Sequence, residues 1–123
     1  METRKKILVV DDSSTSTFLM ESFFEENGYI VSIAEDGNKA IEKVQKQIPD
    51  AIFLDLMMPK KSGFDVLTEI KQNDETKHVP VIIISAKTEQ DDIQKAKALG
   101  AVEYLYKPID IEYALDLLHK LEI

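Results

Sequence analysis

The chain has 123 residues, 15 Lys or Arg against 23 Asp or Glu, for a formal charge of −8. That charge argues against direct nucleic-acid or anionic-membrane binding, because phosphates are repelled, and the longest basic run is only Arg4-Lys5-Lys6. With no Cys there is no disulfide framework, thiolate metal site or Cys nucleophile, and 44% hydrophobic residues at this length suit one self-sufficient core.

The first apolar run, residues 7–10, ends on Asp11-Asp12. It is too short for a signal-peptide core or a membrane span, so a soluble, cytoplasmic protein is expected. A helix follows over about residues 14–27, presenting Phe18, Leu19 and Phe23, with Gly28 as its stop. The second run covers 29–33, and Ala40, Ile41, Val44 and Ile48 mark the next helix. The third run, 51–54, ends on Asp55 and leads into a stripe of Phe64, Leu67 and Ile70. The fourth, 81–84, ends on Ser85, and Ile93, Ala96 and Leu99 precede Gly100. The fifth, 102–106, ends on Lys107-Pro108, and Ile111, Ala114, Leu115 and Leu118 form the last stripe.

Four of these runs are nearly continuous in apolar residues, as strands buried on both faces of a parallel sheet are. The fifth is mixed and suits an edge. Strands alternating with helices give a (βα)5 doubly wound α/β fold with an open parallel sheet. No linker-like or low-complexity tract divides the chain, so residues 1–123 are expected to form a single domain.

In such a sheet, chemistry sits outside the C-terminal ends of the strands. Asp11, Asp12, Asp55, Ser85 and Lys107 all stand there. Carboxylates crowded together raise one another's pKa, and one Lys cannot balance three Asp. A hard divalent cation such as Mg2+ removes the conflict, since it takes oxygen ligands and shares them with phosphate. Carboxylates, Mg2+, an ammonium and a small hydroxyl are the components of phosphoryl transfer. Asp11 and Asp12 have a plainer reading as caps of the first helix, but Ser13 or Ser14 can do that job.

Four motifs carry a resemblance over essentially the whole chain. They are Val9-Val10-Asp11-Asp12, Asp50 through Asp55 to Pro59 with Ser62-Gly63, Pro80 through Ser85-Ala86, and Tyr104-Leu-Tyr-Lys107-Pro108. In this order and spacing they resemble the receiver domain of bacterial two-component response regulators. The resemblance implies a flavodoxin-like strand order of 2-1-3-4-5. It implies Asp55 as phosphoacceptor and Asp11, Asp12, Asp55 and the Met57 backbone carbonyl as Mg2+ ligands. Lys107 would bind phosphate, Ser85 would be the switch hydroxyl, and Tyr104 the switch aromatic that follows it. Ala86 would leave access to Asp55, and the Lys107–Pro108 peptide would be cis.

The implied partners are a histidine kinase or histidine phosphotransfer protein as donor, and a target or output domain read through the fourth helix, fifth strand and fifth helix. The implied state is a monomer or a phosphorylation-dependent dimer. The implied chemistry is self-phosphorylation and slow self-dephosphorylation rather than turnover of external substrates. Met57 and Lys87, two residues after Asp55 and Ser85, are the side chains best placed to control hydrolytic water, and neither activates it. An FMN-binding flavodoxin shares the strand order, but its phosphate loop would lie beside Asp11-Asp12 and has no Gly between Ser13 and Thr17. A pseudo-receiver interaction module should lack one of the five polar positions, and none is lacking.

Overall fold

The computed structural model describes residues 3–86 and 89–123. Ten elements alternate along it: β1 (Lys6–Val10), α1 (Ser14–Glu26), β2 (Ile30–Ala34), α2 (Gly37–Lys46), β3 (Ala51–Asp55), α3 (Gly63–Gln72), β4 (Val81–Ser85), α4 (Gln90–Ala98), β5 (Glu103–Tyr106) and α5 (Ile111–Lys120). The strands pair in parallel in the order β2-β1-β3-β4-β5. Among the described residues no helix is long and apolar enough to cross a membrane.

Side chains alternate across the strands, so the apolar runs feed two layers. Leu8, Val10, Ile52, Leu54, Val81 and Ile83 face one way and bury Ala40 and Val44 of α2, Val66, Leu67 and Ile70 of α3, and Ile93 and Ala96 of α4. Ile7, Val9, Phe53, Ile82 and Ile84 face the other way, against Met20 and Phe24 of α1 and Ala114, Leu117 and Leu118 of α5. Helix starts follow local chemistry: Ser13, Asp36, Ser62 and Asp110 each accept a backbone N–H with the side chain. Gly28 and Gly100 follow α1 and α4 with φ of 92° and 110°, the left-handed turn expected of a glycine stop.

Three expectations from the sequence are corrected. In α1 the buried residues are Thr17, Met20 and Phe24, whereas Phe18 and Leu19 are 65% and 50% exposed and Phe23 is only half-buried. Phe18, Leu19, Met20, Phe23 and Phe24 spread around the helix, so periodicity permits more than one inward face. Packing selects one: Phe24 lies 5.3 Å from Phe53, ring centre to ring centre, and 6.1 Å from Tyr29.

The strand β2 is not buried on both faces. It is an edge with one lateral neighbour, Ser32 is exposed, and Ile30, Val31 and Ile33 are half-buried. Ile48 does not continue the α2 stripe, because the helix ends at Lys46 and Ile48 is 40% exposed. Pro49 disfavours the helical conformation for the residue before it.

Candidate functional site

The C-terminal ends of β1, β3, β4 and β5 meet on one rim. The first strand ends at Val10, and Asp11 turns back so that its Oδ1 accepts the Ser13 N–H at 2.9 Å. Ser13, not an aspartate, caps α1, taking the Ser16 N–H at 3.4 Å. Asp11 and Asp12 are therefore left for other work. Asp11 is buried and Asp12 exposed.

Asp55 closes β3 and is buried. Its Oδ1 accepts the Met57 N–H at 2.9 Å, which fixes the carboxylate against the start of the next loop. That loop returns closely: Gly63 N–H donates to Leu56 O at 3.1 Å, and a Cβ on Gly63 would collide with Asp55 O and Leu56 Cα. A glycine is required there for α3 to begin so near the carboxylate.

Lys107, just past β5, spans the site. Its Nζ lies 2.8 Å from Asp11 Oδ2 and 3.0 Å from Asp55 Oδ2. Its backbone N–H donates to Ser85 O at 2.8 Å, and the Lys107–Pro108 peptide is cis, as the resemblance implies. One carboxylate oxygen from each of Asp11, Asp12 and Asp55 lies within 4.8 Å of the others.

The electrostatics are unbalanced. Burial pushes the Asp55 carboxyl up, with the Asp11 charge adding to it, and the Met57 N–H and Lys107 only partly offset this. Burial works against the Lys107 ammonium, but its hydrogen bonds to Asp11 and Asp55 outweigh burial and hold it above its ordinary value. Among the described residues the Lys107 ammonium reaches two of the three carboxylates, and all their ligand atoms are hard oxygens within the span of a single small ion. That donor set fits Mg2+, which prefers oxygen and rarely demands an all-protein cage.

The remaining candidates lie around this rim. Ser85 is fully buried at the end of β4. Tyr104 is buried on β5 opposite Ile83, in the layer shared with α2, α3 and α4, and its ring centre lies 5.6 Å from that of exposed Tyr106. Ala86 and Met57 are exposed. Lys87 lies outside the described residues.

The sequence singles out neither Asp36 nor Gly37, and it suggests for Lys60-Lys61 only a surface patch beside the site, whereas the structure ties both lysines to carboxylates. Asp36 is buried, caps α2 through the Lys39 N–H at 2.9 Å, and lies 3.5 Å from the Lys60 ammonium. Lys61 pairs with Glu69 at 2.6 Å. The Asp-Gly pair after a strand was a legible helix-start signal. Its contact with residues 60 and 61 was not.

Three comparisons bear on this geometry. Residues 7–119 match the family model described as the response regulator receiver domain. Protein PilH of Pseudomonas aeruginosa is 34% identical over 110 residues, 89% of this chain and 91% of that one. Sporulation initiation phosphotransferase F of Bacillus subtilis is 37% identical over 116 residues, 94% of this chain and 92% of that one. Other relatives are longer, and the matching stretch is 23% to 49% of their length. Among solved structures, the receiver domain of a Pseudomonas aeruginosa sensor histidine kinase superposes with a TM-score of 0.87 at 27% identity, covering 96% of this chain and 97% of that one. That structure has a magnesium ion coordinated in its active-site cleft.

Proposed function

The chain belongs to the response regulator receiver domain family, a phosphorylation-activated switch of two-component signalling, and on that premise we propose that Asp55 is its phosphoacceptor. The observation that carries this reading is the Lys107 ammonium bridging Asp11 and Asp55 inside a cluster of three carboxylates. Asp11, Asp12, Asp55 and the Met57 carbonyl would hold Mg2+. When bound, that ion supplies charge neutralisation for the phosphoryl oxygens.

The chain's own residues do the rest. An Asp55 carboxylate oxygen attacks the phosphorus of a phosphoimidazole in line, the P–N bond breaks, and the imidazole leaves with its electron pair. An acyl phosphate remains on Asp55. Lys107 exchanges its carboxylate contacts for a phosphoryl oxygen while staying anchored through its backbone bond to Ser85 O. The Ser85 hydroxyl then closes onto the phosphoryl group, which carries about −1.5 to −2 charges, and Tyr104 moves with it.

The donor is a histidine kinase or histidine phosphotransfer protein in the cytoplasm. The reading surface is α4, β5 and α5, where Tyr106, Tyr113 and, just before β5, Val102 are exposed apolar side chains available to a target, an output domain or a second copy. Residues 1–123 act as one receiver domain, without turnover of external substrates. The FMN alternative is disfavoured, because Asp11 and Asp12 at the first loop, with Asp55 beside them, would repel a flavin phosphate.

Acetyl phosphate with Mg2+ tests the reading. Mass spectrometry should show one added phosphoryl group, labile to alkali, absent from Asp55→Asn and absent without Mg2+. Labelling that survives in Asp55→Asn would place the acceptor elsewhere.

A further inference from the structure

The loop over residues 56–62 carries Met57, and its ends are closed on each other by the Gly63 N–H to Leu56 O bond. Its middle is held from outside, by the start of α2. Lys60 has φ of 68°, a left-handed conformation that an L residue adopts only when its surroundings enforce it. Its ammonium lies 3.5 Å from Asp36 Oδ2, while Asp36 Oδ1 takes the Lys39 N–H at 2.9 Å. Asp36 is thus buried and fixed by the helix start, and offers its second oxygen to the loop. The Lys39 N–H holds the Asp36 carboxyl below its ordinary value, with Lys60 helping, so it stays ionised.

The next residue on each side is in direct contact. A Cβ on Gly37 would lie 2.5 Å from Lys61 O and 2.6 Å from Lys61 Cβ, so the loop backbone rests on the glycine. Lys61 is tied to Glu69 at 2.6 Å, and its N–H donates to Pro59 O at 2.9 Å. The loop is therefore clamped between α2 and α3 at the two residues following Pro59.

From these contacts we infer that Asp36 and Lys60 form a latch that positions the Met57 carbonyl for the divalent cation, so that Asp36, on a different strand–helix connection, is a positioning residue for metal binding. The inference rests on the proposed metal site. An octahedral cation tolerates little error in its ligands, and a carbonyl on a loop meets that demand only if the loop is held before the ion arrives. An ion pair whose lysine is exposed contributes little to global stability, but it can decide the position of a short loop.

Mg2+ titration of the full chain, by calorimetry or by NMR shifts at low ionic strength, tests the latch. Asp36→Asn keeps a good helix cap and removes the charge. Lys60→Asn tolerates the left-handed backbone and is too short to reach residue 36. Long-range electrostatics alone would move the two variants in opposite directions, weaker binding for the lost carboxylate and tighter binding for the lost ammonium. The latch predicts the same direction: each weakens Mg2+ about threefold, the size usual for an ion pair with one exposed partner. The double variant should be no weaker than either single one, and Lys60→Arg should bind like the parent.

Metal-free melting curves should show all four variants folded. Tighter or unchanged binding in Lys60→Asn, or additive losses in the double variant, would overturn the latch. Asp11→Asn is the control for the site itself. If it binds Mg2+ as the parent does, the metal-site reading fails. If it loses Mg2+ while the Asp36 and Lys60 variants do not, only the latch fails.

Discussion

The two rims of the sheet treat polar groups in opposite ways. On the N-terminal rim four buried or half-buried polar side chains close on backbone. Asp50 Oδ2 takes the Lys6 N–H at 2.7 Å, and the Thr76 hydroxyl donates to Ile70 O at 2.7 Å. The Tyr29 hydroxyl donates to Ile123 O at 2.9 Å, and the Lys71 ammonium donates to Lys77 O and Val79 O at 3.0 and 2.7 Å. These groups pin α3 and the C-terminal end of the chain to the strand starts. On the C-terminal rim the polar groups are crowded with their own charge, three carboxylates to the one lysine among the described residues that reaches them, Lys107. One rim is built to be finished and the other to be completed by a cation and a phosphoryl group. Local stability is given up only where binding can return it.

The largest effect should come from Asp55→Asn. It should abolish phosphoryl incorporation, yet raise metal-free stability by roughly 1 kcal/mol, the size usual for single substitutions, because a repelled buried charge disappears. Differential scanning calorimetry without Mg2+ checks the sign. A lower melting temperature would mean the carboxylate is a structural partner of Lys107 and not a strained group.

The opposite rim should answer in the opposite sense. Thr76→Val leaves Ile70 O without its buried donor and should cost about 1–3 kcal/mol. Mg2+ affinity and labelling should not change, and a change in either would show that the rims are coupled.

A pH series separates two groups within the C-terminal rim. The Asp55 carboxyl has a raised pKa, so the folded state binds the proton more tightly than the unfolded chain does. Metal-free stability from this group is then full at low pH and falls as pH rises from the ordinary carboxylate range through the raised value. Asp36 has a lowered pKa, so its contribution is present above the ordinary range and is lost as pH falls through the lowered value. The stability gap between Asp55→Asn and the parent should widen with rising pH over that window, and saturating Mg2+ should close it. A gap that is constant with pH would remove charge as its cause.

The smallest effect concerns lifetime. Met57 is 55% exposed beside the acceptor and offers no group to orient water. Met57→Asn with Lys87→Glu should hydrolyse the acyl phosphate faster than the parent, followed after donor removal at saturating Mg2+. Decay at the parental rate would show that these side chains do not govern access of water.

Much of this comparison was legible in the chain itself. The apolar runs and the residues that end them are local in sequence, so strand positions and the rim holding Asp11, Asp12, Asp55, Ser85 and Lys107 could be read directly. Parallel strands send their ends to one side, and that alone gathers those five residues. Other features depended on which surfaces meet. The inward face of α1 is set by Phe53 and Tyr29, and β2 is half-exposed because nothing pairs beyond it. Asp36 and Gly37 read as an ordinary helix start, and only the packing of one strand–helix connection against another puts them on Lys60 and Lys61. Periodicity and end residues are properties of a segment, whereas a contact between two loops belongs to neither until the sheet has ordered the strands between them.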